Sequence, residues 1–141
     1  MGLFEKLDVS WYANPEFNNL RMFQIRLGLE EGLDVSWYAK PEFNANQMNL
    51  ILIGLKNNLD VSYYANKDFS KAQMAEILDG LWIGLNVELY SNPEFDEFQM
   101  EQIRLGLEKE LDVTVYSKPE YNWKEMEKIR LNLNRKVKNG K

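Results

Sequence analysis

"LDVSWYANPEF" at residues 7–17 returns at residues 33–43 as "LDVSWYAKPEF", with one residue changed. The two stretches start 26 residues apart, and that spacing continues along the chain. Leu7, Leu33, Leu59, Leu85 and Leu111 all fall on it, with no insertion. A fixed period of a few tens of residues is the mark of a repeat architecture. Residues 1–141 therefore read as a single repeat domain with units at 7–32, 33–58, 59–84, 85–110 and 111–136. Five further columns are identical in every unit: those of Val9, Tyr12, Met22, Ile25 and Leu29. The leader "MGLFEK" at 1–6 matches the end of a unit, Gly2-Leu3 aligning with Gly28-Leu29, and reads as an N-terminal partial repeat or cap. Residues 137–141 form a basic tail. Terminal repeats of such arrays carry polar outer faces.

Each unit reads as two helices. Asp8, Asp34, Asp60, Asn86 and Asp112 are N-cap types at the start of a short first helix, "DVSWYAN" in the first unit. Pro15, Pro41, Pro93 and Pro119 end it; the third unit has Lys67 there, which predicts a less rigid corner. The second helix starts at Asn18, Asn44, Ser70, Asp96 and Asn122, again N-cap types, with Glu125 placed for a capping box in the last unit. Met, Ile and Leu then recur at i, i+3 and i+7, one helical face. Gly32 and Gly84 suit the left-handed residue that ends a helix, Asn58 is next best, and Glu110 and Lys136 suit it poorly. Gly28, Gly54, Gly80 and Gly106 sit inside the second helix, where glycine costs about 1 kcal/mol relative to alanine. Four such positions imply a steric reason, a closely packed neighbouring helix; Asn132 in the last unit fits having nothing stacked beyond it. The expected fold is all-α: five two-helix repeats stacked as a short α-solenoid or superhelical bundle.

The unit "LDVSxYAxPEFNxxQMxxIRLGLExG" resembles a short α-helical repeat of small phage and mobile-element proteins from Gram-positive anaerobes. The resemblance covers essentially the whole chain. Its usual setting implies phage or mobile-element counter-defence, and it brings no activity or site residue with it.

The chain has neither Cys nor His, which removes disulfides, the usual zinc, haem and iron–sulfur ligands and the commonest general base. Ser10, Ser36 and Ser62 stand two residues after an Asp cap, as ordinary first-turn residues do. The glycines are singletons at the repeat period, so no phosphate-cradling loop exists. No cofactor and no metal are expected, and no enzymatic activity. The leader lacks a signal-peptide pattern, and the longest apolar run, "LILIGL" at 50–55, is too short for a bilayer. The expected location is cytoplasmic, with no membrane association. Net charge is −5, modest for a phosphate mimic and the wrong sign for a general nucleic-acid binder.

If identical columns are scaffold, a binding surface lies in the columns that vary. One column of the first helix holds Trp11, Trp37, Tyr63, Leu89 and Val115. It either packs between units or forms a partner-facing ladder. On the second helix an outer stripe holds Asn19, Phe23 and Glu30 in the first unit, Lys71, Ala75 and Trp82 in the third, and Glu97, Glu101 and Glu108 in the fourth. A neighbouring stripe in the fifth holds Lys124, Lys128 and Arg135. Trp82, Ile83, Phe98 and Trp123 are large apolar residues in columns filled elsewhere by polar or smaller ones, as interface anchors are. Charge is uneven too: the fourth unit has seven acidic residues against two basic, the fifth six basic against four acidic.

These features predict a non-enzymatic repeat protein that binds another protein. Joined to the resemblance, they point to an anti-CRISPR-like inhibitor that blocks a bacterial defence nuclease sterically. Three alternatives stand beside it: an acidic nucleic-acid mimic using Glu97, Glu101 and Glu108; nucleic-acid binding through the basic last unit and Trp123; and a self-assembling array or homodimer.

Overall fold

The computed structural model describes residues 17–139. The cap assigned to 1–6, the Asp8 N-cap, Pro15 and Trp11 lie outside the described residues. Among the described residues the fold is all-helical, with no strand. Five α-helices follow one another: α1 (Asn19–Glu30), α2 (Ala45–Lys56), α3 (Lys71–Trp82), α4 (Glu97–Glu108) and α5 (Trp123–Asn139). Short 3-10 turns separate them at Val35–Trp37, Val61–Tyr63, Val87–Leu89 and Val113–Val115. No helix among the described residues is long and apolar enough to cross a membrane. The chain divides into two compact units, each longer than two 26-residue repeats, the first ending at Met74 and the second beginning at Ala75, so the division falls within α3.

The α-helices start where the N-cap residues place them. Asn18 Oδ1 accepts from the Arg21 N–H at 2.9 Å. Asn44, Ser70, Asp96 and Asn122 go further and form capping boxes with Gln47, Gln73, Gln99 and Glu125. Two backbone donors that the helix leaves without partners are thereby satisfied at each end. The other ends close on a left-handed residue. Gly32 (φ 71°) and Gly84 (φ 79°) adopt it, as do Asn58 (φ 58°) and Glu110 (φ 59°). At each of these ends the next leucine N–H bonds the carbonyl of the helix glycine, as Leu33 does to Gly28 at 2.9 Å. Position 136 breaks the pattern: α5 continues through Lys136 to Asn139, instead of stopping at the expected end of the fifth unit. Lysine is a good helix former and a poor left-handed residue, and Lys136 and Lys138 oppose the dipole at the C-terminal turn.

The expected first helix is not an α-helix. "DVSWYAK" at 34–40 makes a three-residue 3-10 turn, Val35–Trp37. Asp34 Oδ1 takes the Ser36 N–H and the Ser36 hydroxyl, and the Lys40 N–H then bonds the Tyr38 carbonyl at 2.7 Å, which ends the winding. Proline is not what stops it. With Lys67 in place of proline the same bonds recur, Asn66 N–H to Tyr64 C=O at 2.7 Å and Phe69 N–H to Asn66 C=O at 3.1 Å. Asn66 Oδ1 adds a bond from the Asp68 N–H at 2.8 Å. The winding stops because the tyrosine turns inward.

That inward tyrosine holds each turn to the helix before it. In the first unit Tyr38 and Tyr64 are fully buried and donate to the carbonyls of Gln24 (2.7 Å) and Leu50 (2.6 Å). In the second, Tyr90 and Tyr116 do the same to Glu76 and Gln102, both at 2.6 Å. The helix glycines exist for this contact. A Cβ on Gly54 would overlap the Tyr64 hydroxyl and stand 2.6 Å from Val61 Cγ1, and Gly28, Gly80 and Gly106 face equivalent pairs. The expected steric reason holds, but the close neighbour is a Tyr–Val pair from the following turn, not a helix. Buried glutamines add a second tie: Gln47 Nε2 donates to the Phe69 carbonyl at 2.7 Å, and Gln99 Nε2 to that of Tyr121 at 2.5 Å. Around these bonds the core of the first unit gathers Val35, Phe43, Met48 and Ile51, and that of the second Val87, Phe95, Met100 and Ile103.

Candidate partner-binding surface

In the first unit, Phe23 lies on the exposed side of α1, with the Arg26 guanidinium 5.7 Å from its ring centroid. Both line a surface pocket of about 320 Å³ together with Asn19 and Met22. Met22 is half-buried there, unlike Met48, Met74, Met100 and Met126, which are fully covered. Of the first-turn column, Trp37 is exposed and Tyr63 half-buried. Trp11, the column's first member, lies outside the described residues. Asp34 and Asp60 spend one carboxylate oxygen each on capping their turn, and Ser36 and Ser62 give their hydroxyls to it.

In the second unit, the last turn of α3 presents Trp82 and then Ile83, 57% and 54% exposed. Gly84 ends the helix directly after them, so neither is drawn back under a following turn. Phe98, on the first turn of α4, is 52% exposed. Its ring centroid lies 6.2 Å from that of Trp123 with planes tilted by 40°, a range in which aromatic pairs attract. Lys124 Nζ stands 5.7 Å from the Trp123 ring, and Lys118 Nζ 6.0 Å from the Tyr121 ring. Trp123 is half-buried; Lys124 and Lys128 are exposed. Leu89 and Val115 continue the first-turn column, the former half-buried and the latter exposed.

The acidic stripe is less open than its sequence implies. Glu97 and Glu101 are half-buried. Glu108 is exposed, but its carboxylate bonds Arg104 at 2.5 Å. Arg104 also bonds Glu76 at 2.8 Å. Burial raises the Glu76 carboxyl above the usual carboxylate range, and the bond and charge of Arg104 oppose the rise. One of the three stripe carboxylates is therefore committed to an ion pair along its own helix.

Sequence reasoning passed over Leu20, 67% exposed, and also Leu131 and Val137. Leu20 was findable: its column reads Asn46, Ala72, Phe98 and Lys124 in the later units, so it varies as the chosen ones do. Arg104 was not, because one arginine in a helix does not announce which carboxylates close on it. Comparisons with protein-family models, with curated proteins and with solved structures found no match.

Proposed function

We propose that this chain is a non-enzymatic protein-binding repeat protein, its five units stacked as a short α-solenoid whose variable columns carry specificity. The observation behind this reading is the exposure of Trp82 beside Ile83. The Trp82 column reads Glu30, Lys56, Glu108 and Asn134 in the other units, so the scaffold has no need of an aromatic there. An exposed tryptophan next to an exposed isoleucine is costly in water and useful on binding. Phe98, with its ring partner Trp123, supplies a second anchor of the same kind.

The repeat's resemblance gives the setting: a phage or mobile-element inhibitor that occupies a bacterial defence protein, such as a CRISPR nuclease, in the cytoplasm. Steric occlusion needs no nucleophile, base or metal. The acidic-mimic reading draws less support, because Glu108 is held by Arg104.

The test is affinity capture from the bacterial host with the native chain and with Trp82→Ala, read by mass spectrometry and repeated as salt rises. A specific partner lost with Trp82→Ala and retained at about 0.5 M salt supports aromatic anchoring. An unchanged set of captured proteins overturns the surface assignment, and capture that collapses with salt returns the reading to mimicry.

A further inference from the structure

The outward side of α5 carries Lys124, Lys128, Leu131, Arg135 and Lys138, at i, i+4, i+7, i+11 and i+14. All five are exposed. That spacing lines them up as one stripe about 21 Å long. Among the described residues no carboxylate pairs with any of the four cations; Lys124 leans on the Trp123 ring instead.

Inside each unit, the corresponding columns are where one helix receives the next. In the second unit, Phe98 and Gln102 of α4 stand one period before Lys124 and Lys128. Phe98 meets Trp123 of α5, and Gln102 Oε1 accepts from Arg130 Nε at 2.8 Å. In the first unit, Gln24 of α1 and its C-cap Glu31 stand in the columns of Lys128 and Arg135 and meet Asn49 and Lys56 of α2, at 3.1 and 3.6 Å. The face is thus a helix-receiving face twice over, and on α5 nothing among the described residues covers it.

The geometry points to an acidic α-helix of a partner protein as the occupant of this face. Resting on the protein-binding reading above, it specifies the chemistry of part of the partner: carboxylates in register with the four cations, around an apolar residue opposite Leu131. A helix suits the face better than a nucleic-acid backbone does. The stripe is straight, its centre is an exposed leucine with nothing to offer a phosphate, and the chain as a whole carries net charge −5.

The test uses the full chain and a fluorescent helical peptide with glutamates at i, i+4, i+11 and i+14 and leucine at i+7. A scrambled peptide of equal composition and a twenty-residue oligothymidine serve as controls. The helical peptide binds best, the paired substitution Lys128→Glu with Arg135→Glu weakens it about 10-fold or more, and a lysine-for-glutamate peptide restores binding to the substituted chain. Both residues are exposed, so circular dichroism of the variant stays as in the parent. Equal binding of the scrambled peptide, preference for the oligonucleotide, or indifference to the charge reversal overturns the assignment. A cellular partner that Trp82→Ala loses and the charge-reversed chain keeps would refute this face alone; a partner set that neither change alters would refute both surfaces, and capture of no specific partner would refute the protein-binding reading itself.

Discussion

Gly54→Ala should destabilise the protein, although helix propensity argues the reverse. In an unobstructed helix interior the change gains about 1 kcal/mol. At Gly54 the new methyl overlaps the Tyr64 hydroxyl and lies 2.6 Å from Val61 Cγ1. Tyr64 is fully buried and has no open direction in which to yield. Moving it breaks the bond to the Leu50 carbonyl, now 2.6 Å, and leaves a buried hydroxyl without a partner, a loss of about 1–3 kcal/mol. Overpacking around Val61 adds about 1–3 kcal/mol. Against the propensity gain, a net loss of about 3 kcal/mol remains. Urea unfolding followed by circular dichroism should show a lower midpoint with an unchanged slope. A double-mutant cycle isolates the cause. Tyr64→Phe removes the overlapped oxygen, so the double variant should lose less than the two single losses added, by about 1 kcal/mol or more. If Gly54→Ala alone raises the midpoint, as alanine does in an open helix, the close approach is not what keeps glycine there.

Four other outcomes are open to measurement. Glu110 adopts a left-handed backbone at φ 59°, where Gly32 and Gly84 stand at the other helix ends, so Glu110→Gly should raise stability by about 1 kcal/mol in urea unfolding. Lys67→Pro should add about 0.5–1 kcal/mol by the same assay, because the corner already has the geometry of the proline-containing ones. Gln99→Ala removes both a capping box and the bonds to the Pro119 and Tyr121 carbonyls, and should cost about 2 kcal/mol. Burial raises the hydroxyl pKa of Tyr38, Tyr64, Tyr90 and Tyr116 above the ordinary value of 10.0. A raised folded-state value means their contribution is complete below pH 10 and is lost as pH climbs beyond it; the unfolding free energy from urea titration should fall there by up to about 1.4 kcal/mol per pH unit for each tyrosine, and Tyr64→Phe should shallow that fall.

The period and the caps were legible because they are local chemistry. Asn44 followed three residues later by Gln47 announces a helix start whatever lies around it, and Gly84 announces an end. The identical tyrosines were legible as scaffold, yet their job was not. Nothing in "LDVSWYA" says that the Tyr38 hydroxyl reaches a carbonyl fourteen residues back, or that this reach holds the turn to three residues. Gly28 and Tyr38 are ten residues apart and belong to different 26-residue repeats, so their fit appears only once the chain has folded. The same distinction governs the surface. That Trp82 departs from its column was visible in the sequence; its 57% exposure depends on where α3 stops. Glu108 reads as a free acid beside Glu97 and Glu101, and Arg104 four residues before it holds it in an ion pair.

This division of labour explains how a surface can vary while its period stays fixed. In the first unit the turn is held by Tyr64, Val61, Gly54 and the Gln47 amide, all facing inward. In the second the same positions are Tyr116, Val113, Gly106 and Gln99. None of these bonds involves the residues that differ most, Trp37 and Tyr63 in the first unit or Trp82, Phe98 and Lys124 in the second. A substitution in a variable column therefore leaves the buried bonds intact and costs little stability, within about 0.5 kcal/mol for an exposed site. Aromatics left more than half exposed in such columns gain less from folding than the buried tyrosines do. Trp82 and Phe98, 57% and 52% exposed, are therefore the residues on which the proposed partner-binding surface chiefly rests.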